Sequence, residues 1–253
     1  VANNTAVGYY ALQANTTGAD NTAIGRGALA FNSTANSNIA IGKNALFANT
    51  TGAENTAIGT LSLDACTSGS RNNAVGRSSL SSLTTGEDNC AFGQDAGFSI
   101  TTADYNVAVG KSALYANTTG AYNTAIGSLT LDGVTSGTEN AGLGYDAGTA
   151  ITTGERNVCI GRSAGGAITT ANNNIAIGAY AAFYESADLT TGGNNIFLGH
   201  YSMPSSSSTT YEKTFGYYIT GAASSTTFGN SSTDSRIADG ATTITAPSDV
   251  RLK

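Results

Sequence analysis

Along residues 1–199 the apolar positions come in two pairs that keep repeating. An Ala and an Ile or Val precede a glycine, an Ala-Leu pair follows three and four residues after it, and Asn, Thr, Ser and Gly fill the intervals. The glycines closing the first pair are Gly8, Gly25, Gly42, Gly59, Gly76, Gly93, Gly110, Gly127, Gly144, Gly161 and Gly178, each 17 residues after the last, and Gly199 follows after 21. Aligned on that glycine, one repeat reads T-T-G-x-x-N-x-A-[IV]-G-x-x-A-L-x-x-x. A fixed period marks a repeat architecture, in which each unit buries its apolar side against its neighbours.

The slots indicate which architecture. N-x-A-I-G is short, alternating and β-branched, which predicts a strand with Ile and the residue after Asn on one face, Asn and Ala on the other. The glycine turns the chain, Ala-Leu supplies a second inward anchor, and T-T-G makes another turn. A repeat of 17 residues with two turns is too short for a helix pair of about 34, and Gly and Asn recur too often for helices. The expected fold is all-β: a β-solenoid with one 17-residue repeat per coil and about twelve coils over 1–199.

Coils stacked about 4.8 Å apart turn every slot into a column of like residues. The Asn four places before the glycine is present in every copy: Asn4, Asn21, Asn38, Asn55, Asn72, Asn89, Asn106, Asn123, Asn140, Asn157, Asn174 and Asn195. Their amides are expected to hydrogen-bond from rung to rung, satisfying a buried polar group at each level. Five places before the glycine, Glu54, Arg71 and Asp88 fall on successive coils, as do Glu139 and Arg156, which predicts opposite charges paired along that column. Tyr105 and Tyr122 are rung neighbours in it. Segments 43–69 and 111–137 match at 20 of 27 positions, a block duplication that puts Phe47, Tyr115 and Phe183 in equivalent slots, expected to pack against a neighbouring chain or loop. The adjacent threonines are expected to point to opposite faces, one outward per coil, which favours a turn role over an ice-ordering array.

Composition narrows the function classes. Charged residues are only 11%, and the net charge of −6 comes with no basic cluster, which argues against a nucleic-acid surface or a polybasic membrane anchor. No apolar run approaches the roughly 18 residues of a membrane helix. Cys66, Cys90 and Cys159 are scattered in register and read as small buried or half-buried thiols. With the lone His200 far from them in sequence, neither a metal site nor a cofactor is expected. The start, VANNTAVG, lacks Met and a signal-peptide pattern and falls inside a repeat, so the chain reads as a piece of something longer.

After Gly178 the register breaks around YESADL, and NNIFLG at 194–199 is the last copy of the motif. Residues 200–247 are Tyr-rich and strand-like without the period, and read as a distal, non-repeat β tip that covers the solenoid's open end. The last six residues, SDVRLK at 248–253, resemble the opening of the intramolecular chaperone domain that follows many phage tail fibres and endosialidase-type tailspikes. That resemblance implies a precursor that trimerises through the chaperone and cuts itself just before Ser248, with Lys253 as the base activating the hydroxyl. The segment 248–253 is then the remnant start of that domain. The repeats resemble phage tail-fibre repeats of the form NTAxGxxALxxNTTGxx over nearly all of 1–199. They are also similar to the head repeat of trimeric autotransporter adhesins, whose coil is shorter and whose Asn lies one place further from the Gly. Both resemblances imply a homotrimer of parallel chains.

The function these resemblances imply is structural and adhesive. The chain is expected to be shaft plus distal tip of a bacteriophage tail fibre, extracellular in the virion, binding a host cell-surface receptor, glycans included. Other tail or fibre proteins would join its N-terminal side. The alternative is the head of a bacterial trimeric surface adhesin. Exposed aromatic rings often serve recognition, which puts forward Tyr201, Tyr211, Tyr217 and Tyr218 as receptor-binding residues, with packing between chains as the competing role. Beyond self-cleavage no enzyme activity is expected. A glycan-degrading site needs two carboxylates within about 5–9.5 Å, whereas Asp64 and Asp132 share a column four coils apart and Asp95 and Asp146 lie three coils apart.

Overall fold

The computed structural model describes residues 3–183, 188–230 and 233–240, and among these every regular element is a β-strand. Ser248 and Lys253 lie outside the described residues, as does the rest of the tip segment from 241 onward. The chain divides into two compact units, Val1–Gly137 and Thr138–Lys253.

The first unit is a parallel β-solenoid. Its strands are β1 (Thr5–Val7), β2 (Thr22–Ile24), β3 (Ile39–Ile41), β4 (Thr56–Ile58), β5 (Asn73–Val75), β6 (Cys90–Phe92), β7 (Val107–Val109) and β8 (Thr124–Ile126). From β1 to β8 successive strands pair in parallel, in the register Ala40↔Ala57 and Ile41↔Ile58. The strands are three residues long because the closing glycine ends them. Gly42 has φ +138°, and a Cβ there would sit 2.5 Å from the carbonyl oxygen of Gly59 on the next coil. Only glycine permits that turn and that approach together.

Past the glycine the chain turns through the left-handed region again at the Ala-Leu pair. Leu29, Leu46, Leu63, Leu80, Leu114 and Leu131 have φ between 50° and 52°, a conformation that costs a non-glycine residue about 1–2 kcal/mol. Each of these side chains is buried to within 1% of complete, which is worth about 1.5–3 kcal/mol and offsets the strain. The same column explains why the strand's inner face is the opposite of the one its β-branched residues suggest. Ala23, Ala40, Ala57, Ala74, Ala91, Ala108 and Ala125 are buried, whereas Ile24, Ile39, Ile58, Phe92 and Ile126 are 36–43% exposed. In the first unit that inward slot holds only alanine beside the buried leucines and asparagines; in the second it also takes Cys159 and Phe197, both fully buried.

The second unit begins with β9 (Ala141–Leu143), β10 (Val158–Ile160), β11 (Ile175–Ile177) and β12 (Ile196–Leu198), again parallel. The longer step to β12 leaves the register intact, Ile175 facing Ile196 and Ile177 facing Leu198. The ladder then continues past Gly199, where the sequence reading ends the coils. β14 (Lys213–Tyr217) pairs in parallel with β12, Ile196↔Lys213, a return to the 17-residue step that closes on Gly216. β16 (Ser225–Asn230) stacks on β14 after a shorter step, Lys213↔Thr226, and β13 (Ser202–Met203) pairs with β15 (Ile219–Thr220) beside them. β17 (Thr233–Ala238) lies antiparallel on β16 and covers its edge, which would otherwise invite another strand.

Candidate functional site

The asparagine column is a clamp between coils. Asn72 Nδ2 donates to the carbonyl of Gly86 on the next coil at 2.8 Å, while its Oδ1 accepts the main-chain N–H of Asn89 at 3.0 Å. Asn55 in the first unit and Asn157 in the second hold their next coils the same way. Amide-to-amide bonds also run up the column, at 3.2 Å from Asn72 to Asn55, but the stronger partners are main-chain groups. A second interior ladder escaped the sequence reading. Asn32 donates to Asn15 and Asn49 to Asn32, each at 3.0 Å, in the slot seven after the glycine. The recurring phrase A-N-T-T-G spelled it at three coils, through Asn15, Asn49 and Asn117, but Cys66, Leu83 and Ile100 interrupt the slot and hid the pattern; all three are fully buried.

In the second unit Glu212 takes the asparagine slot and ends the column. Its N–H donates to Asn195 Oδ1 at 2.8 Å. Its fully buried carboxylate accepts from Ser205 Oγ at 2.6 Å, Thr209 Oγ1 at 2.7 Å, Ser205 N–H at 3.1 Å and Thr214 Oγ1 at 3.3 Å. An asparagine here would need a carbonyl on a following coil; a carboxylate needs only donors, and the hydroxyls supply them.

The outer face of the first unit's strands carries the candidate interaction surface. Its centre is the apolar lane of Val7, Ile24, Ile58, Phe92 and Ile126, 36–58% exposed. At the strands' entering ends stand Asp20, Glu54, Glu87, Asp88 and Asp104, with Arg71 the one cation; just after the closing glycines stand Arg26, Lys43, Arg77 and Lys111, with no acid in that slot. Arg71 pairs with Glu87 and, at 2.8 Å, with Asp88 on the following coil, and this holds the Asp88 carboxyl below the ordinary carboxylate range. The expected partners Glu54 of Arg71 and Glu139 of Arg156 are not used. Each guanidinium turns instead to acceptors on its own or the next coil, Arg156 to Asn173 at 2.9 Å and Glu155 at 2.8 Å. Among the described residues, Arg26, Lys43, Lys111 and Glu54 make no ion pair.

Other columns serve the coil itself. The hydroxyls of Thr16, Ser33, Thr50, Thr67, Thr84 and Thr101 each donate to the like carbonyl one coil on, at 2.9–3.2 Å. Both threonines of the pair sit at the surface, Thr16 with Thr17 and Thr50 with Thr51, because they occupy a turn and not a strand. The expectation of one outward threonine per coil is thereby corrected. Phe47 packs edge-on against Phe31, Tyr115 stacks on Phe98, Phe183 on Tyr180, and Tyr105 lies flat on Tyr122 with centroids 5.1 Å apart.

Of the distal tyrosines, three come together. Tyr201 stacks on Tyr180 at 5.0 Å, Tyr218 follows Tyr201 at 5.0 Å, and Tyr217 adjoins both Tyr218 and His200. Tyr217 and Tyr218 are exposed, and a shallow recess beside Tyr218 is lined by Asn230, Asp234 and Arg236. Tyr211, also exposed, precedes β14 at its other end and makes no ring contact with these among the described residues.

Burial pushes the thiols of Cys66 and Cys159 up to about 12; Cys90 is half-buried on the outer strand face. Desolvation raises the Asp64 carboxyl, which accepts Ser81 Oγ at 2.7 Å. Among the described residues no cluster of three or more His, Cys, Asp or Glu side chains is arranged to hold a metal. The fold places the chain in the class of parallel β-solenoids. No protein-family model, curated protein or solved structure matches it.

Proposed function

We propose that the chain is a structural and adhesive segment of a bacteriophage tail fibre, a self-associating shaft whose distal tyrosines meet a host receptor. The observation that carries this reading is the apolar lane along the first unit's outer strand face. A strip of Ile, Val and Phe that repeats on successive coils is a surface made to be covered, and further copies of the same chain match it in length and pitch. The repeat phrase and SDVRLK support the tail-fibre setting and a homotrimer. Tyr217, Tyr218 and His200 offer ring faces beside the polar groups of the recess, a combination suited to receptor contact, glycans included.

Immunogold microscopy with an antibody against residues 200–247 tests the setting. Label at the tips of tail fibres, on particles produced by the genome that encodes the chain, supports the reading. Label on bacterial surfaces in the absence of particles replaces it with the trimeric adhesin.

A further inference from the structure

We infer that the T-T-G turns of the first unit form a water-ordering face that binds ice. This activity is separate from host attachment and does not depend on the tail-fibre reading. In a strand, adjacent residues would point to opposite faces and leave one threonine outward per coil. The pair sits in a turn instead, and both of its members reach the surface.

Two columns of hydroxyls result. One runs from Thr16 to Thr135 and the other from Thr17 to Ser136, over eight successive coils, and every position in both is Thr or Ser. The main chain sets them in one repeated geometry. The N–H groups of Thr16 and Thr17 share the carbonyl of Ser33, at 2.9 and 3.2 Å, and those of Thr50 and Thr51 share that of Thr67 at the same two distances. The columns differ in what their hydroxyls do. In the first, Thr16, Thr50 and Thr118 donate to a carbonyl one coil on, which holds the side chain in one rotamer and leaves oxygen lone pairs for water. In the second, the hydroxyls of Thr17, Thr34, Thr51 and Thr85 are exposed and have no partner in the chain among the described residues.

Ice is a lattice, so what recognises it is a rigid array at a matching pitch. One hydroxyl that trades a bulk-water bond for a lattice bond gains little, and adhesion needs many fixed sites acting together. The rung spacing of about 4.8 Å lies close to the oxygen repeat along the basal axes of hexagonal ice, and eight rungs extend it over roughly 34 Å. Threonine suits such a face twice over, its hydroxyl anchoring one water while its methyl group cages the next. A charged side chain would impose a hydration shell of its own, and neither column contains one. The outer strand face lacks this uniformity, since Thr22, Ile39, Thr56 and Asn73 succeed one another in a single slot.

The test uses the full chain and reads two things: thermal hysteresis, and partition into a slowly growing ice front beside a protein that stays in the liquid. The parent is expected to enter the ice and to shape the crystals. Thr51→Lys with Thr85→Lys puts strongly hydrated ammonium groups into the second column and is expected to lose both effects with circular dichroism unchanged. Thr34→Lys with Ser68→Lys gives the same reading if that pair fails to fold. Gln13→Lys with Gln94→Lys adds the same charge at exposed positions outside the two columns and is expected to keep both effects. A parent excluded from the ice overturns the inference and leaves the tail-fibre reading standing. Ice binding that survives the column variants, or that the glutamine variant loses equally, overturns its assignment to this face.

Discussion

Asn72 and Asn73 are the same residue side by side, and the strand gives them opposite fates. Asn72 is fully buried and bonded to the next coil, while Asn73 is exposed on the outer face. Truncating Asn72 to Ala strands the N–H of Asn89 and the carbonyl of Gly86 in the interior, each at a cost of about 1–3 kcal/mol. Urea unfolding is therefore expected to show Asn72→Ala less stable by about 2–4 kcal/mol, and Asn73→Ala within about 0.5 kcal/mol of the parent. The buried thiols make a second prediction at this scale. Cys159 titrates at about 12 in the folded chain against 9.0 for an ordinary thiol. The unfolded chain therefore loses that proton first, and stability falls as pH rises from about 9 toward 12. Cys159→Ala removes this contribution, so its melting temperature is expected to drop less between pH 8 and pH 10.5 than the parent's. The asparagine slot was legible in the sequence because every repeat filled it. The second asparagine ladder was not, because apolar residues of similar size replace it wherever a coil lacks the amide.

At the scale of the element, what each coil requires is a set of turns, and the residues at those turns differ in how openly they declare themselves. The closing glycine is plain from its period. The left-handed leucines are not, since nothing in a Leu announces φ near 50°; burial in the coil decides it. Glu212 shows the same limit at the last asparagine slot. A search for Asn misses that coil, although Gly216 stands 17 residues after Gly199. Replacing Glu212 by Gln turns the oxygen that accepts from the Ser205 and Thr209 hydroxyls into an N–H₂, so those hydroxyls must turn to accept and lose the acceptor they donate to. The expected loss is about 1–3 kcal/mol, seen as faster hydrogen exchange in β14 and β16 with β10 unaffected.

For the whole molecule, the question is what covers the outward apolar lane. Ile24 and Ile58 are 39% and 36% exposed, so neither holds the coil together from within. Ile24→Lys with Ile58→Lys is expected to leave the circular dichroism spectrum unchanged and to abolish the oligomer in sedimentation. Aggregation or loss of the β signal would instead make the lane part of the coil's own stability.

The amino-acid order alone determined the period, the parallel stacking, the strand positions and the asparagine rungs, because each follows from local backbone demands repeated on every coil. Tertiary structure decided which strand face turns inward, which carboxylates Arg71 chooses, how far the ladder runs beyond Gly199, and that both threonines of the turn reach the surface. Those outcomes depend on the volume enclosed by a coil and on what the next coil offers, and neither quantity is written in any single repeat.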